Sequence, residues 1–184
     1  NLGCYGDGGA IFTNDDALAH KLRGIVNHGM YERYHHDVVG VNSRLDSIQA
    51  GVLKAKLPHL DTYNKARQDA ARKYSVALSV NSNIWAPFIC ETCDCHVFHQ
   101  YVIRIMNGKR DGLLAHLQEK GIPCAIYYPI PLHSQKAYAD SRYKEEDFPV
   151  TNQLCKEVIA LPIHTELDDE QIKFITDTVL EYLK

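Results

Sequence analysis

The stretch VFHQYVIRIM, residues 97–106, gives the clearest strand signal in the sequence. It is rich in β-branched and aromatic residues, and the turn-forming pair Asn107-Gly108 follows it. Leucines spaced for one helical face come next, between residues 110 and 120, and Gly121 is expected to end that helix. Residues 122–128 form a second apolar stretch with strand character. A strand, a helix and a strand in this order predict an α/β or α+β fold.

The first sixty residues are predicted to contain one strand followed by helices. Residues 10–13 have the apolar character of a short buried strand, and Asn14 or Asp15 is expected to cap the helix behind it. A second helix is predicted from near Ser43, where Asp46 completes a pattern close to a capping box. Because a single strand cannot form a sheet, we expect this segment to be the end of a larger domain.

Residues 61–184 are predicted to form a second domain with its own layer of strands and helices. Apolar side chains at positions 150, 154 and 158 indicate one helix near its end. The last helix is predicted to begin at Asp168, because Gln171 stands at capping-box spacing from it. The main domain boundary is therefore expected near residue 60.

The composition argues against several classes of function. A formal net charge of −3 gives no electrostatic case for binding nucleic acid or an anionic membrane. We expect no signal peptide, and no apolar run of the sequence approaches a membrane span. Its six cysteines therefore favour free thiols in a reducing cytoplasm over a disulfide framework. The chain begins with Asn1 instead of methionine, so we expect it to be part of a longer protein.

One cluster has the composition of a metal site: Cys90, Cys93, Cys95 and His96. A structural zinc ion requires four ligands in a tetrahedron. Adjacent side chains such as those of Cys95 and His96 point to opposite faces of an extended chain, and no second ligand pair is near in sequence. We therefore predict no metal site, and a zinc-binding module remains an alternative function.

Four motifs occur in the order found in a known family. They are NLGCYGDGGA at residues 1–10, GVNSRLDSIQA at residues 40–50, YPIPLH at residues 128–133 with Gln135, and LPIH at residues 161–164. With these motifs in register, the sequence resembles the C-terminal half of the DegT/DnrJ/EryC1/StrS family of sugar aminotransferases over its whole length.

The resemblance implies an α/β chain with the aspartate-aminotransferase fold, which is fold type I of the pyridoxal-phosphate enzymes. Residues 1–60 would be the end of the large cofactor-binding domain, and residues 61–184 the small C-terminal domain. The enzyme would use pyridoxal 5'-phosphate to aminate a nucleotide-linked keto-sugar, usually with glutamate as amino donor, for deoxyamino-sugar and surface-polysaccharide biosynthesis. The family's Schiff-base lysine would come immediately before Asn1, so none of the residues present would be the catalytic lysine.

Two residues of the second motif are candidates for contact with anions. Asn42 precedes a predicted helix and on this basis is a helix cap, whereas the resemblance implies a bond from Asn42 to the cofactor phosphate of the neighbouring subunit in a homodimer. Arg44 would stand in the first helical turn, where a cation is unfavourable. We therefore expect an outside partner for Arg44, either an anionic group of the substrate or a carboxylate at the subunit contact.

Two further candidates for substrate binding lie in the third motif. Pro129 and Pro131 restrict the backbone around Ile130, so His133 would be presented in a fixed direction. The resemblance implies that His133 contacts substrate, although its spacing alone favours a surface or packing role. Tyr128 is predicted either to fill the core or to contribute its hydroxyl to the same pocket.

Two alternatives accompany the aminotransferase. A branch of the family carries histidine in place of the Schiff-base lysine and removes a sugar hydroxyl, so a sugar dehydratase is the first. A non-enzymatic zinc-binding module, organised by residues 90–96, is the second. His99, in the predicted strand at 97–106, is expected to be a buried core histidine under every alternative.

Overall fold

The computed structural model describes residues 1–90 and 95–184, and the chain divides into two compact units, Asn1–Leu60 and Asp61–Lys184. The first unit contains helix α1 (Asp16–Val26), the two-stranded antiparallel hairpin β1 (Met30–Glu32) and β2 (His35–His36), and helix α2 (Ser47–Lys56). A 3-10 turn at Leu57–His59 leads into the second unit. Asp15 caps α1 as predicted, since its carboxylate accepts a hydrogen bond of 2.9 Å from the amide of Leu18.

The strand predicted at residues 10–13 is absent from the described structure. These residues form no ladder with any described strand, and Ile11 and Phe12 are 68% and 91% exposed. A strand is stabilised by hydrogen bonds and cross-strand contacts with a neighbour, and this segment has no such neighbour in the part of the chain described. The prediction of a buried strand here is wrong for this structure.

Helix α2 begins at Ser47, four residues later than predicted. Its N-cap, Asp46, makes no side-chain capping bond, so the predicted capping box is wrong as well. Instead of entering a helix, the amides of Val41 and Ser43 donate to the carbonyls of Ile25 and Val26 at the end of α1, at 2.8 and 2.9 Å. These bonds hold residues 41–43 extended.

The second unit is a three-stranded antiparallel sheet with helices. Its elements in chain order are α3 (Leu60–Leu78), β3 (Ile84–Trp85), β4 (Tyr101–Ile105), α4 (Arg110–Glu119), α5 (Pro149–Glu157), β5 (Val158–Leu161) and α6 (Asp169–Tyr182). The strand order is β3-β4-β5, with Ile84 opposite Ile105 and Tyr101 opposite Leu161. Alternate residues of β4 are fully buried, and they meet buried side chains of α3, α4 and α6.

The central strand is shorter than residues 97–106. Phe98 has a φ of +43°, outside the extended region, and its amide donates to Nδ1 of His96 at 3.0 Å. The ladder therefore begins only at Tyr101. His99 precedes the strand and is exposed, so the prediction of a buried core histidine is wrong.

Two further boundaries differ from the prediction. Residues 122–128 contribute only a single bridge, between Ala125 and Ala160, and Pro123 has no amide hydrogen to donate to a ladder. Val158 opens β5 and does not belong to α5. The buried guanidinium of Arg110 accounts for this end of the helix, since its Nη1 donates to the carbonyls of Cys155 and Val158 at 3.0 and 3.1 Å.

The last helix follows its sequence signal. Asp168 accepts from the amide of Gln171 at 2.8 Å, and the Gln171 side chain accepts from the amide of Asp168 at 3.1 Å, so the predicted capping box is confirmed. Among the described residues, no helix combines the length and the apolar character needed to cross a bilayer.

Candidate functional site

Asn42 is held in place through its backbone. It lies in residues 37–43, an extended segment, here called the strap, that packs along the end of α1. Asn42 forms an antiparallel bridge with Asn27, and the amides on either side of it, those of Val41 and Ser43, both donate to carbonyls of α1. In return, the amide of His28 donates to the carbonyl of Val41 at 2.9 Å. The position of the Asn42 backbone is therefore fixed relative to α1.

The strap approaches α1 so closely because two glycines face each other. A Cβ on Gly40 would stand 2.1 Å from the amide nitrogen of Gly29 and 2.6 Å from the carbonyl oxygen of Ile25. A Cβ on Gly29, whose φ is +77°, would stand 1.7 Å from the carbonyl oxygen of Val38. No other residue type fits either position without moving the backbone.

The structure brings Asn42 and Arg44 together. Nε of Arg44 donates to Oδ1 of Asn42 at 3.1 Å, and both side chains are exposed. Among the described residues, the Nδ2 group of Asn42 donates to no acceptor, and Arg44 has no carboxylate within ion-pair distance. Because α2 begins at Ser47, neither residue belongs to its first turn, and the predicted conflict with the helix dipole does not arise. The pair instead presents unused N–H donors beside a positive charge.

A cavity of about 510 Å³ lies next to this pair, inside the first unit. Its lining includes two cations, Arg23 and Arg44, one acid, Asp7, and the hydroxyl-bearing residues Thr13 and Ser43. The charged groups in the lining therefore favour a negatively charged occupant.

Tyr128 lies in the second unit, on a groove of about 490 Å³. The groove runs between the segment from Tyr127 to Leu132 and residues of α5 such as Leu154 and Cys155. Tyr128 is 68% exposed, so the first of its two predicted roles, filling the core, is wrong. Its hydroxyl is accessible to a ligand, and the rest of the groove is mostly apolar.

His133 is packed against an aromatic ring. Its imidazole stacks on Phe148 with ring centroids 4.4 Å apart, and its Nε2 atom is buried without a hydrogen-bond partner among the described residues. A second buried atom without a hydrogen-bond partner among the described residues is Oδ1 of Asn152. The backbone amide of Asn152 donates to the carbonyl of Phe148. The packing role that spacing favoured is therefore present, while a contact between His133 and substrate stays a prediction.

Comparison with known proteins identifies the family. The model of the DegT/DnrJ/EryC1/StrS aminotransferase family matches residues 1–180. The chain belongs to this family. It is 46% identical to the UDP-2-acetamido-2-deoxy-3-oxo-D-glucuronate aminotransferase of Pseudomonas aeruginosa, over 95% of the chain and 46% of that protein. It is 44% identical to a pleiotropic regulatory protein of Geobacillus stearothermophilus, over 100% of the chain and 49% of that protein.

Solved structures of family members confirm the fold. The crystal structure of Streptomyces venezuelae DesV in complex with a ketimine intermediate superposes with a TM-score of 0.91 at 37% identity, covering 100% of the chain and 48% of DesV. A DegT/DnrJ/EryC1/StrS aminotransferase from Brucella abortus gives a TM-score of 0.89 at 40% identity, covering 98% of the chain and 48% of that structure. The predicted aspartate-aminotransferase fold is therefore correct, and the chain spans about half the length of the relatives it matches.

Two residues that the sequence analysis did not single out hold the fourth family motif. Nη1 of Arg67 donates to the carbonyls of Ile163 and Phe98, both at 3.1 Å, and the hydroxyl of Tyr74 donates to the carbonyl of Pro162 at 3.0 Å. Tyr74 is fully buried beside Tyr101, and burial raises the pKa of both, that of Tyr101 to about 12. The sequence does contain a signal for Arg67: it stands between apolar positions of α3, and a charge in that setting needs hydrogen-bond partners.

The cysteine cluster lies only partly in the described structure. Cys93 falls outside the described residues. His96 stacks on Phe98 with ring centroids 3.9 Å apart, its Nδ1 accepts from the amide of Phe98, and its carbonyl accepts from the side chain of Gln68. In residues 1–90 and 95–184, no group of three or more His, Cys, Asp or Glu side chains is arranged to hold a metal ion.

Proposed function

We propose that the chain is part of a pyridoxal-phosphate-dependent aminotransferase that acts on a nucleotide-linked keto-sugar, with glutamate as amino donor. The observation that carries this proposal is the family match over residues 1–180, which includes the segment with the Asn42–Arg44 pair. A relative at 46% identity is named as an aminotransferase of a UDP-linked 3-oxo sugar acid. We assign the enzyme to deoxyamino-sugar and surface-polysaccharide biosynthesis.

The residues present fit a phosphate group. A phosphate binds through N–H donors and is favoured by nearby positive charge, and the exposed pair supplies the unused Nδ2 group of Asn42 beside the guanidinium of Arg44. We assign Asn42 to the cofactor phosphate, across the subunit interface of a homodimer. When bound, the cofactor supplies the carbonyl that accepts the amino group and the ring that withdraws electrons from the reacting carbon. We assign none of the lysines of this chain to the covalent link with the cofactor.

We assign Arg44, Tyr128 and His133 to substrate binding. The terminal nitrogens of Arg44 are free to meet an anionic group, such as a sugar carboxylate or a diphosphate. Tyr128 places an exposed hydroxyl on an apolar groove of about 490 Å³, which suits a planar or apolar part of the substrate. His133 is assigned from its place in the third motif, and its Nε2 atom is buried without a hydrogen-bond partner among the described residues.

The proposal of a homodimer is supported by the exposed surface of the first unit. Helix α2 has no buried residue in this chain, and its Ile48 is 79% exposed. A helix that carries apolar side chains and buries none of them within its own chain is suited to contact with another surface. We assign residues 1–60 to the end of the large cofactor-binding domain and residues 61–184 to the small domain. Cys4, Cys95, Cys124 and Cys155 form no disulfide in the described structure, and we assign the enzyme to the cytoplasm.

Neither alternative is favoured over the aminotransferase. The Pseudomonas aeruginosa relative at 46% identity is named as an aminotransferase and not as a dehydratase. The zinc-binding module would need ligands from a segment whose described members, Cys90, Cys95 and His96, belong to no metal-holding group in the described chain.

The role of Asn42 is tested by titrating the full-length protein with pyridoxamine phosphate, which binds without a covalent link. Replacing Asn42 by alanine removes a charge-assisted hydrogen bond and is expected to weaken binding about tenfold or more. Asn14→Ala changes an exposed asparagine outside the site and serves as the matched control. Fluorescence titration gives the affinities. Equal affinity in Asn42→Ala and the parent would remove Asn42 from the phosphate site.

A further inference from the structure

We propose that Arg44 is a positioning residue for Asn42: its Nε holds the amide oxygen, so that the Nδ2 group faces the cofactor phosphate. The observation is the 3.1 Å hydrogen bond from Nε of Arg44 to Oδ1 of Asn42. The inference rests on the proposed function, because it concerns how the phosphate-binding asparagine acquires its orientation.

An asparagine amide needs such a device at a phosphate site. Its two ends have opposite characters, since the oxygen only accepts hydrogen bonds and the nitrogen only donates them. A phosphate oxygen is an acceptor, so it is stabilised by the NH2 end and repelled by the oxygen end. A guanidinium has no acceptor atom, so Arg44 can bind only the oxygen end of the amide. The bond between the two residues therefore selects the orientation that a phosphate requires.

The strap leaves this orientation as the main remaining freedom of Asn42. The bridge to Asn27 and the amide bonds of Val41 and Ser43 fix the backbone on both sides of it. The side chain is exposed, so packing does not select its torsion angles. Three staggered positions about χ1 and two ends of the amide give about six arrangements, of which one suits a given phosphate position.

Arg44 is available for this role because nothing else in the described chain engages it. No carboxylate forms an ion pair with it, and its bond to Asn42 is its one hydrogen bond among the described residues. The Nε donor is used by Asn42, while Nη1 and Nη2 remain open toward solvent or substrate. Arg44 can thus orient the amide and still meet an anionic group of the substrate.

Lysine at position 44 separates orientation from charge. It keeps the positive charge but has a methylene group where Nε stands, so the bond to Oδ1 of Asn42 is lost in its present geometry. If the amide then samples all its arrangements, the binding-competent fraction falls to about one sixth and the dissociation constant rises by up to about sixfold. This rise in the dissociation constant must vanish when the Asn42 amide is absent.

The experiment is a double-mutant cycle on the full-length protein, with pyridoxamine phosphate as the probe and fluorescence titration as the readout. Arg44→Lys is expected to weaken binding about three- to sixfold in the parent and by less than about 1.5-fold in the Asn42→Ala background. Arg33→Lys changes an exposed arginine of the β1–β2 hairpin that does not line this cavity, and it is expected to leave binding unchanged within about 1.5-fold. If Arg44→Lys does not fold, as judged by thermal unfolding, Arg44→Met repeats the cycle.

The outcomes separate this inference from the proposed function. If Arg44→Lys binds the probe as the parent does, or weakens binding equally with and without the Asn42 amide, Arg44 does not act through Asn42. If Asn42→Ala alone has no effect, the phosphate assignment fails and the inference fails with it. A weakened Asn42→Ala together with an unaffected Arg44→Lys overturns the positioning role only.

Discussion

At the scale of single residues, the close approach of Gly29 and Gly40 leaves no room for a side chain at either position. Replacing Gly40 by alanine puts a methyl group 2.1 Å from the amide nitrogen of Gly29 and 2.6 Å from the carbonyl oxygen of Ile25. Both of these atoms belong to the backbone. Relief of such overlap requires the strap to move, at a cost of about 1–3 kcal/mol. We expect the amides of Val41 and Ser43 to exchange with solvent about 5- to 160-fold faster in Gly40→Ala.

Hydrogen exchange followed by mass spectrometry or NMR measures this opening. Gly51→Ala is the matched control, since a Cβ at Gly51 has no neighbour within 4 Å among the described atoms. Unchanged exchange at Val41 and Ser43 in Gly40→Ala would show that the strap does not depend on the close approach.

The carboxylate of Glu157 connects α5 with the central strand. Gln153 donates to its Oε1 at 2.8 Å, while Nη2 and Nε of Arg104 donate to its Oε2 at 2.7 and 2.9 Å. The hydrogen bond from Gln153, and then the guanidinium of Arg104, lower the pKa of Glu157 below its ordinary value of 4.5. The stabilisation that these bonds give to the folded state is therefore complete above pH 4.5. It is lost as the pH falls through the lower pKa that Glu157 has in the folded state.

We expect the free energy of unfolding to fall less between pH 7 and about pH 3 in Glu157→Gln than in the parent, because the variant has no charge to lose at this position. Urea titrations at several pH values measure the difference. Glu181→Gln, which changes an exposed carboxylate of α6, is the matched control. An identical pH dependence in Glu157→Gln and the parent would contradict the assigned pairing.

At the scale of elements, the two capping signals behaved differently. Asp168 makes the reciprocal bonds of a capping box with Gln171, whereas Asp46 precedes α2 without any side-chain capping bond. Asp168→Ala is expected to destabilise the chain by about 1 kcal/mol, and Asp46→Ala by only a few tenths. Chemical denaturation of the two variants against the parent measures this. A larger loss for Asp46→Ala than for Asp168→Ala would contradict the capping assignments.

An element can be predicted from the sequence when the contacts that stabilise it are made by residues close to it in sequence. Helices α1 and α6 begin at their predicted caps because each cap bonds an amide three residues ahead. The start of α2 was misplaced because the amides of Val41 and Ser43 bond to a different helix, which no local pattern reveals. The strand at residues 97–106 was predicted too long, since the positive φ of Phe98 interrupts it.

The candidate site shows the same division. The motifs pointed to Asn42, Arg44, Tyr128 and His133, and the structure adds the hydrogen bond that pairs the first two. The exposure of Tyr128 and the packing of His133 on Phe148 depend on residues distant in sequence, so spacing could not supply them. Arg67 and Tyr74 were missed because their partners are backbone carbonyls that only the folded chain brings near.

At the scale of the whole molecule, the chain spans about half the length of the family members that it matches. Its first unit exposes apolar side chains such as Ile11, Phe12 and Ile48, in the same unit that carries the Asn42–Arg44 pair. Exposed apolar area of this kind is suited to contacts beyond the described chain. The full-length protein is therefore the form in which activity should be measured.

The assignment as a sugar aminotransferase is tested by the absorbance spectrum of the full-length protein, loaded with pyridoxal phosphate, during addition of glutamate. We predict that the visible band of the aldehyde form is replaced by the band of the amine form. We also predict that a nucleotide-linked keto-sugar restores the visible band as it takes up the amino group. A spectrum that stays unchanged with glutamate and with every keto-sugar tested would contradict the assignment as a sugar aminotransferase.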